Sequence, residues 1–186
     1  MHIDTLFPTT IYTKDCRNLI SEDHKTTAKA ICFENGDYEF QSKCISTVRS
    51  NLNVLEHPRF DKIKNQINSS IKDFAAYLKL DTSKSYEVEE SWLNYYQPGM
   101  YQEEHIHHGS LISGVIYIIG SGTADFYVKS PLSDMQSILP VFEHNSEFEN
   151  YNYDTIDGRI LLFLSSTKHA TRPTDKEKIS LSFNIR

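Results

Sequence analysis

The chain has 186 residues and a formal net charge of −6 at pH 7. This length is sufficient for one domain with a hydrophobic core, and the negative charge disfavours nonspecific binding to nucleic acid. The longest apolar run, residues 160–164, is far too short to cross a bilayer, and the first ten residues show no secretory signal. The 3 cysteines are odd in number, which favours a reduced cytoplasm over a disulfide scaffold.

The N-terminal half is predicted to contain an opening strand at residues 6–12 and two helices. Residues 21–33 form the first helix, with Ser21 at the N-cap but with His24 badly placed for a capping box. The stronger helix begins at Pro58, because proline is tolerated in a first helical turn. Its apolar residues recur at spacings of three and four and form one stripe that needs a sheet to cover: Phe60, Ile63, Ile67, Ile71, Phe74, Ala75 and Leu78.

From residue 86 onward the pattern is typical of β-strands separated by turns such as Pro98-Gly99. The predicted strands are residues 91–97, 101–107, 111–119, 124–129, 153–156, 159–164 and 178–185. Helices followed by about seven strands favour two packed sheets with the helices on one outer face.

The last strand alternates strictly between an apolar face and a polar face. The apolar face is Ile179, Leu181, Phe183 and Ile185, and the polar face is Lys178, Ser180, Ser182 and Asn184. In a simple two-layer protein the polar face lies in solvent. The alternative is that the apolar face packs on the helices while the polar face lines a wet pocket that could hold a dicarboxylate.

Histidines provide a candidate metal site. His105 and His107 are two residues apart, a spacing that on a strand puts both rings on one face with Cα atoms roughly 6.5 Å apart. A third histidine, His169, could complete a facial set with open coordination positions. Lys178, nine residues later, could hold an anionic co-substrate beside the metal. The alternative for the His-x-His pair alone is an exposed pair without metal, and His108 is ambiguous because it points to the other strand face.

The C-terminal half carries a series of motifs. They are Asn94-x-Tyr96-x-Pro98-Gly99-x-Tyr101-Gln102-x-x-His105-x-His107, Leu111-Ile112-Ser113-Gly114-Val115-x-Tyr117-Ile118, Gly158-x-x-Leu161-Leu162-Phe163-x-Ser165, His169, and Lys178-Ile179-Ser180-x-Ser182-Phe183-Asn184. Together they resemble the 2-oxoglutarate/Fe(II)-dependent oxygenases of marine bacteria and their phages, within the prolyl-hydroxylase-like superfamily. The resemblance covers roughly residues 90–186.

The resemblance implies a mainly β fold with some α, a double-stranded β-helix. This is a jelly roll or cupin-like barrel with N-terminal helices on the outer face of one sheet. The whole chain, residues 1–186, would form one oxygenase domain. In it, residues 1–85 would support a core of residues 86–186.

The family's iron motif is His-x-Asp/Glu followed by a distal histidine. His105 matches the first position, His107 falls where the carboxylate normally lies, and His169 matches the distal position. Three neutral imidazoles hold Fe(II) less tightly than a set with a carboxylate and also suit other metals. Glu103, on the same strand face as His105, could replace His107 as an anionic ligand only if the strand slid by one pleat.

The same resemblance assigns the 2-oxoglutarate co-substrate. Lys178 and Ser180 match the positions that hold its C5 carboxylate, with lysine where many relatives have arginine. A lysine cannot make the bidentate contact of arginine, but it can pair with a carboxylate. Tyr117 falls where relatives add a phenol hydrogen bond, and Asn94 of the first motif is assigned to the same site.

The leading hypothesis is an enzyme that uses Fe(II), O2 and 2-oxoglutarate to hydroxylate an unidentified substrate, such as a peptidyl or amino-acid side chain, and releases succinate. One alternative is a three-histidine dioxygenase without a 2-oxo acid, which Lys178 and Ser180 disfavour. Another is a non-catalytic jelly-roll binding protein. The expected location is the cytoplasm, or the host cytoplasm for a phage protein, and a homodimer is left open.

A long connection separates two of the predicted strands. Residues 129–154 contain four phenylalanine or tyrosine side chains interspersed with acids. Connections this long in compact domains are usually functional or disordered. We expect a flap over the iron, with a solvated surface loop as the alternative.

Overall fold

The fold is described from a computed structural model over residues 9–39, 42–81, 83–131 and 149–186. The predicted opening strand is present as β1 (Ile11–Asp15), while residues 6–8 of that prediction lie outside the described ranges. Most of the predicted flap, residues 132–148, lies outside them too.

Both predicted helices are present, as α1 (Glu22–Asn35) and α2 (Asp61–Tyr77). The expectation that His24 would not serve a capping box was wrong. Ser21 Oγ accepts a hydrogen bond from the His24 backbone N–H, and the Ser21 backbone N–H donates to His24 Nδ1 at 3.0 Å. An imidazole nitrogen here takes the part that a glutamate or glutamine side chain plays in the usual capping box.

The remaining strands are all antiparallel. They are β2 (Asp37–Glu39), β3 (Cys44–Ser46), β4 (Val88–Tyr96), β5 (Gln102–His105), β6 (Ile112–Ile119), β7 (Phe126–Lys129), β8 (Asn150–Tyr153), β9 (Arg159–Leu164), β10 (His169–Thr171) and β11 (Lys178–Ile185). A large sheet has the order β1-β9-β6-β11-β4-β3-β2, and a small sheet has the order β5-β10-β7-β8.

The helices cover the outer face of the large sheet. The apolar stripe of α2 and the apolar face of β11 belong to one buried cluster, in which Ile67 and Phe183 are fully buried. A second, smaller cluster lies between the two sheets and includes Tyr117, Phe126 and Phe163. Neither helix in the described part of the chain has the length and apolar character that a membrane crossing requires.

The predicted mainly β jelly roll with helices on one outer face is confirmed, although in the described residues its two sheets do not close into a barrel. The structure corrects two expectations. Strand β5 ends at His105, so His107 lies beyond it rather than on the same strand. Three strands were not predicted, β2, β3 and β10, because each has only 3 residues, too few to show a period-two pattern.

Candidate functional site

A cavity of about 600 Å³ lies between the two sheets, and the inner face of the large sheet forms one wall. The polar residues of β11 and their opposite neighbours on β4 and β6 line it: Lys178 with Tyr96, Ser180 with Asn94 and Tyr117, and Ser182 with Trp92. Directly opposed residues of antiparallel strands share a face. The prediction that the polar face of the last strand lines a pocket is therefore confirmed for Lys178, Ser180 and Ser182, whereas Asn184 is not among the residues that line this cavity.

Three histidines line this cavity, two of them on strands of the small sheet and one in the segment that follows β5. His105 on β5 lies directly opposite His169 on β10 in the strand register. His107 follows β5 and is held by a hydrogen bond from its backbone N–H to the Ser165 carbonyl at 2.9 Å. One nitrogen of each ring lies within 4.8 Å of the others, and Nε2 of His107 lies 3.3 Å from Nε2 of His169.

Hydrogen bonds orient two of these rings. Nδ1 of His105 lies 2.8 Å from the Glu103 carbonyl, and Nδ1 of His169 lies 2.9 Å from the Thr167 carbonyl. A carbonyl oxygen can only accept, so Nδ1 of each ring carries the proton and donates it. Nε2 of each ring then keeps its lone pair for a metal ion, the arrangement that carbonyl partners impose on metal-binding histidines.

Burial keeps the three rings neutral. It lowers the pKa of His105, and it lowers the pKa of His107 to about 4, with the charge of His105 acting in the same direction. Burial also holds the pKa of His169 well below its usual value. Neutral imidazole is the form that binds metal, so no proton has to leave at neutral pH.

The donor set suits a divalent metal ion. Two nitrogens each about 2.1 Å from one ion at a right angle are about 3 Å apart, close to the 3.3 Å between His107 and His169. Among the described residues, the three histidines form the group that could hold a metal. The two alternative ligands, Glu103 and His108, are both exposed, and Oε1 of Glu103 lies 4.0 Å from Nζ of Lys43. Three nitrogen ligands leave positions open for other ligands.

Lys178, the first residue of β11, is a buried cation in the wall of the cavity. Lys178 Nζ lies 2.9 Å from Asp125 Oδ2, and the two side chains are only 1% and 5% exposed. The same ammonium lies 4.6 Å from the centroid of the Tyr96 ring. Burial lowers the pKa of Lys178, and the charge of Asp125 opposes that change. Ser121 Oγ donates to the same Asp125 oxygen at 3.0 Å.

Asp125 was missed by sequence reasoning. The available signal was an acid immediately before the apolar strand β7, at a position where a carboxylate must be paired if it is buried. Its partner is 53 residues away along the chain, and only the fold brings the two together.

The remaining predicted residues lie near Lys178. Ser180 is buried between Asn94 and Tyr117 in the strand register. Asn94 already has partners, since its Oδ1 accepts from Ser46 at 2.7 Å and its Nδ2 donates to Ser182 at 3.2 Å. Tyr117 is different. Its hydroxyl is buried and has no hydrogen-bond partner among the described residues.

The fold resembles that of solved oxygenases. A Pseudomonas putida prolyl-4-hydroxylase aligns with a TM-score of 0.64 at 12% identity, over 96% of this chain and 92% of that chain. The viral collagen prolyl hydroxylase of Paramecium bursaria Chlorella virus-1, in complex with 2-oxoglutarate, gives 0.58 at 16% identity, over 94% and 96%. A Trichoplax adhaerens prolyl hydroxylase in complex with a peptide fragment of hypoxia inducible factor gives 0.58 at 10% identity, over 94% and 82%.

No curated protein sequence matches the chain. The sequence profile of the 2OG-Fe(II) oxygenases matches residues 90–184, which is just over half of the chain and includes all three histidines and Lys178. The jelly-roll fold and the three-histidine group agree with that match. The chain belongs to the 2OG-Fe(II) oxygenase family, whose members are enzymes that use Fe(II) and 2-oxoglutarate.

Proposed function

We propose that this protein hydroxylates a second substrate while it converts 2-oxoglutarate to succinate. The observation that carries the proposal is the pairing of two groups in one cavity. Three neutral imidazoles lie within 4.8 Å of one another, and a buried lysine lies in the wall of the same cavity. A three-histidine dioxygenase without a 2-oxo acid would need no such lysine.

His105, His107 and His169 would hold the iron. When bound, Fe(II) supplies the activation of O2 that couples decarboxylation of the 2-oxo acid to oxidation of the second substrate. The protein holds each ring in place. The carbonyls of Glu103 and Thr167 fix the tautomers of His105 and His169, and the backbone N–H of His107 is bonded to the Ser165 carbonyl.

Lys178, Tyr117 and Ser180 would hold the C5 carboxylate of 2-oxoglutarate. Lys178 is fully buried, and a charge-assisted contact is stronger in such a low-dielectric environment than in water. The Tyr117 hydroxyl would gain the hydrogen-bond partner that it lacks among the described residues. Asn94 would act indirectly, because its hydrogen bonds to Ser46 and Ser182 fix the wall of the cavity.

For the second substrate we propose a peptidyl or amino-acid side chain. The support is the similarity to prolyl hydroxylases, one of them in complex with a peptide. In this chain, Trp92 lines the cavity with its ring centroid 5.9 Å from that of His107. An aromatic surface beside the metal ligands can pack against an apolar or ring-shaped side chain and exclude water from it.

The test is Fe(II)-dependent succinate formation from 2-oxoglutarate, measured with a panel of peptides and free amino acids. We expect slow succinate release without a second substrate and stimulation by a substrate, with one hydroxyl group added per succinate. The His107→Ala variant should lose the activity, while His108→Ala, at the exposed neighbouring position, should keep it. Absence of succinate in every condition with metal-loaded protein would contradict the proposal.

A further inference from the structure

The cation assigned to 2-oxoglutarate already has an anionic partner inside the protein. Asp125 shares a buried ion pair with Lys178. One Asp125 oxygen, Oδ2, accepts from both Lys178 and Ser121. The other oxygen, Oδ1, is buried and has no partner among the described residues, as is the case for the Tyr117 hydroxyl.

We propose that Asp125 takes up one proton when the C5 carboxylate of 2-oxoglutarate binds at Lys178, so that Asp125 becomes a hydrogen-bond donor to the co-substrate. The inference rests on the proposed function, because it assumes that Lys178 holds that carboxylate. It adds a residue to the site, and it makes the affinity for 2-oxoglutarate depend on pH.

The charges and hydrogen-bond capacities of the site support the proposal. Without the co-substrate, the ammonium of Lys178 and the carboxylate of Asp125 balance. A second carboxylate would leave the buried site with one excess negative charge, and two carboxylates that share one site raise the pKa of one of them strongly. The uptake is one proton whether the free pair is charged or neutral, because the bound state has one ammonium, one carboxylic acid and one carboxylate.

Hydrogen bonding points the same way. An ionised carboxylate only accepts, so 2-oxoglutarate could satisfy the Tyr117 hydroxyl but not Oδ1 of an ionised Asp125. Protonation of Oδ1 turns that atom into a donor. A ligand carboxylate that pairs with Lys178 and lies within reach of both unpartnered atoms would then satisfy them, which would remove the cost of leaving them buried and unpaired.

Other titratable groups around the pair keep their protons at neutral pH. Burial raises the pKa of Tyr96 and of Tyr117 well above the ordinary value, with the charge of Asp125 adding to the effect at Tyr117. Burial also raises the pKa of Cys44 to about 12. The backbone N–H of Arg172 donates to the backbone carbonyl of Asp125 at 2.7 Å, and the Arg172 guanidinium lies over the Tyr127 ring.

The experiment titrates 2-oxoglutarate into Mn(II)-loaded protein by calorimetry, from pH 6.5 to 8.5, in buffers with different enthalpies of ionisation. The buffer dependence of the heat gives the number of protons taken up, and the titration gives the Kd. We expect uptake approaching one proton and a Kd that rises with pH by up to about tenfold per unit. The sign follows because the co-substrate binds the protonated form of Asp125 more tightly.

The matched variant is Asp125→Asn, which keeps an oxygen for Lys178 and offers an N–H in place of the proton. It should take up no proton, bind 2-oxoglutarate more tightly than the unchanged protein at pH 8.5, and lose most of the pH dependence. Asp73→Asn, at an exposed carboxylate on α2, is the control and should behave as the unchanged protein.

The outcomes separate the two proposals. If 2-oxoglutarate binds without proton uptake and with a Kd that is constant across the pH range, the assignment of Asp125 is wrong while the proposed function stands. The assignment is equally wrong if uptake persists in Asp125→Asn. If Mn(II)-loaded protein binds no 2-oxoglutarate at any pH, the proposed function fails and this inference fails with it.

Discussion

Replacing Lys178 tests its role in binding 2-oxoglutarate, but the single substitution would also break the buried ion pair with Asp125. Lys178→Met alone leaves the buried Asp125 carboxylate with Ser121 as a partner but without a counter-charge. Breaking a buried pair in this way destabilises a protein by about 3–5 kcal/mol. The informative variant is therefore Lys178→Met combined with Asp125→Asn, which removes both charges and roughly preserves the side-chain volumes.

The expected loss of affinity follows from one contact. A hydrogen bond to a charged group contributes about 1.5–3 kcal/mol, and each 1.4 kcal/mol is tenfold. The Kd for 2-oxoglutarate should therefore rise about 10- to 100-fold in the double variant relative to Asp125→Asn, as measured by calorimetry on Mn(II)-loaded protein. Thermal unfolding of both variants checks that the fold is retained. Equal Kd values in two folded variants would refute the role of Lys178.

Three further predictions concern the histidines and Tyr117. His107→Ala should abolish stoichiometric Fe(II) binding under anaerobic conditions, whereas His108→Ala should retain one equivalent; unchanged metal content in His107→Ala would remove His107 from the ligand set. Tyr117→Phe should leave the metal-free protein as stable or slightly more stable, because the hydroxyl has no partner among the described residues. The same substitution should raise the Kd for 2-oxoglutarate about two- to tenfold. A clear loss of stability would indicate a structural role for the hydroxyl instead. The metal-free protein should become less stable as pH falls from about 6.5 to about 4, because burial lowers the pKa of His107 to about 4 and the unfolded chain takes up the proton first. A pH-independent midpoint of urea unfolding over that range would contradict this expectation.

Local sequence patterns predicted the elements that are long and periodic. The stripe of α2 agrees with the observed burial of its residues. Both faces of β11 are buried, and its alternation instead separates the face that packs with the helices from the face that lines the cavity. The alternation also identified which face of β11 lines the cavity. Burying a polar face is costly unless its groups form hydrogen bonds, so this face had to meet a polar ligand or other polar side chains.

Features that depend on pairing between distant segments could not be predicted from the sequence. Asp125 meets Lys178 because β7 and β11 belong to different sheets that face each other. The short strand β10 is held by its pairing with β5 and β7 rather than by its own 3 residues. His107 lies outside its predicted strand for the same reason, because its backbone N–H donates to the carbonyl of Ser165 in a distant segment.

The central claim is that one metal ion and 2-oxoglutarate bind together at the three histidines. The most direct measurement is the visible absorption spectrum of the anaerobic protein with Fe(II) and 2-oxoglutarate. We predict a weak metal-to-ligand charge-transfer band that needs both additions and is lost in His107→Ala. A spectrum without that band, from protein shown to contain one equivalent of Fe(II), would contradict the account.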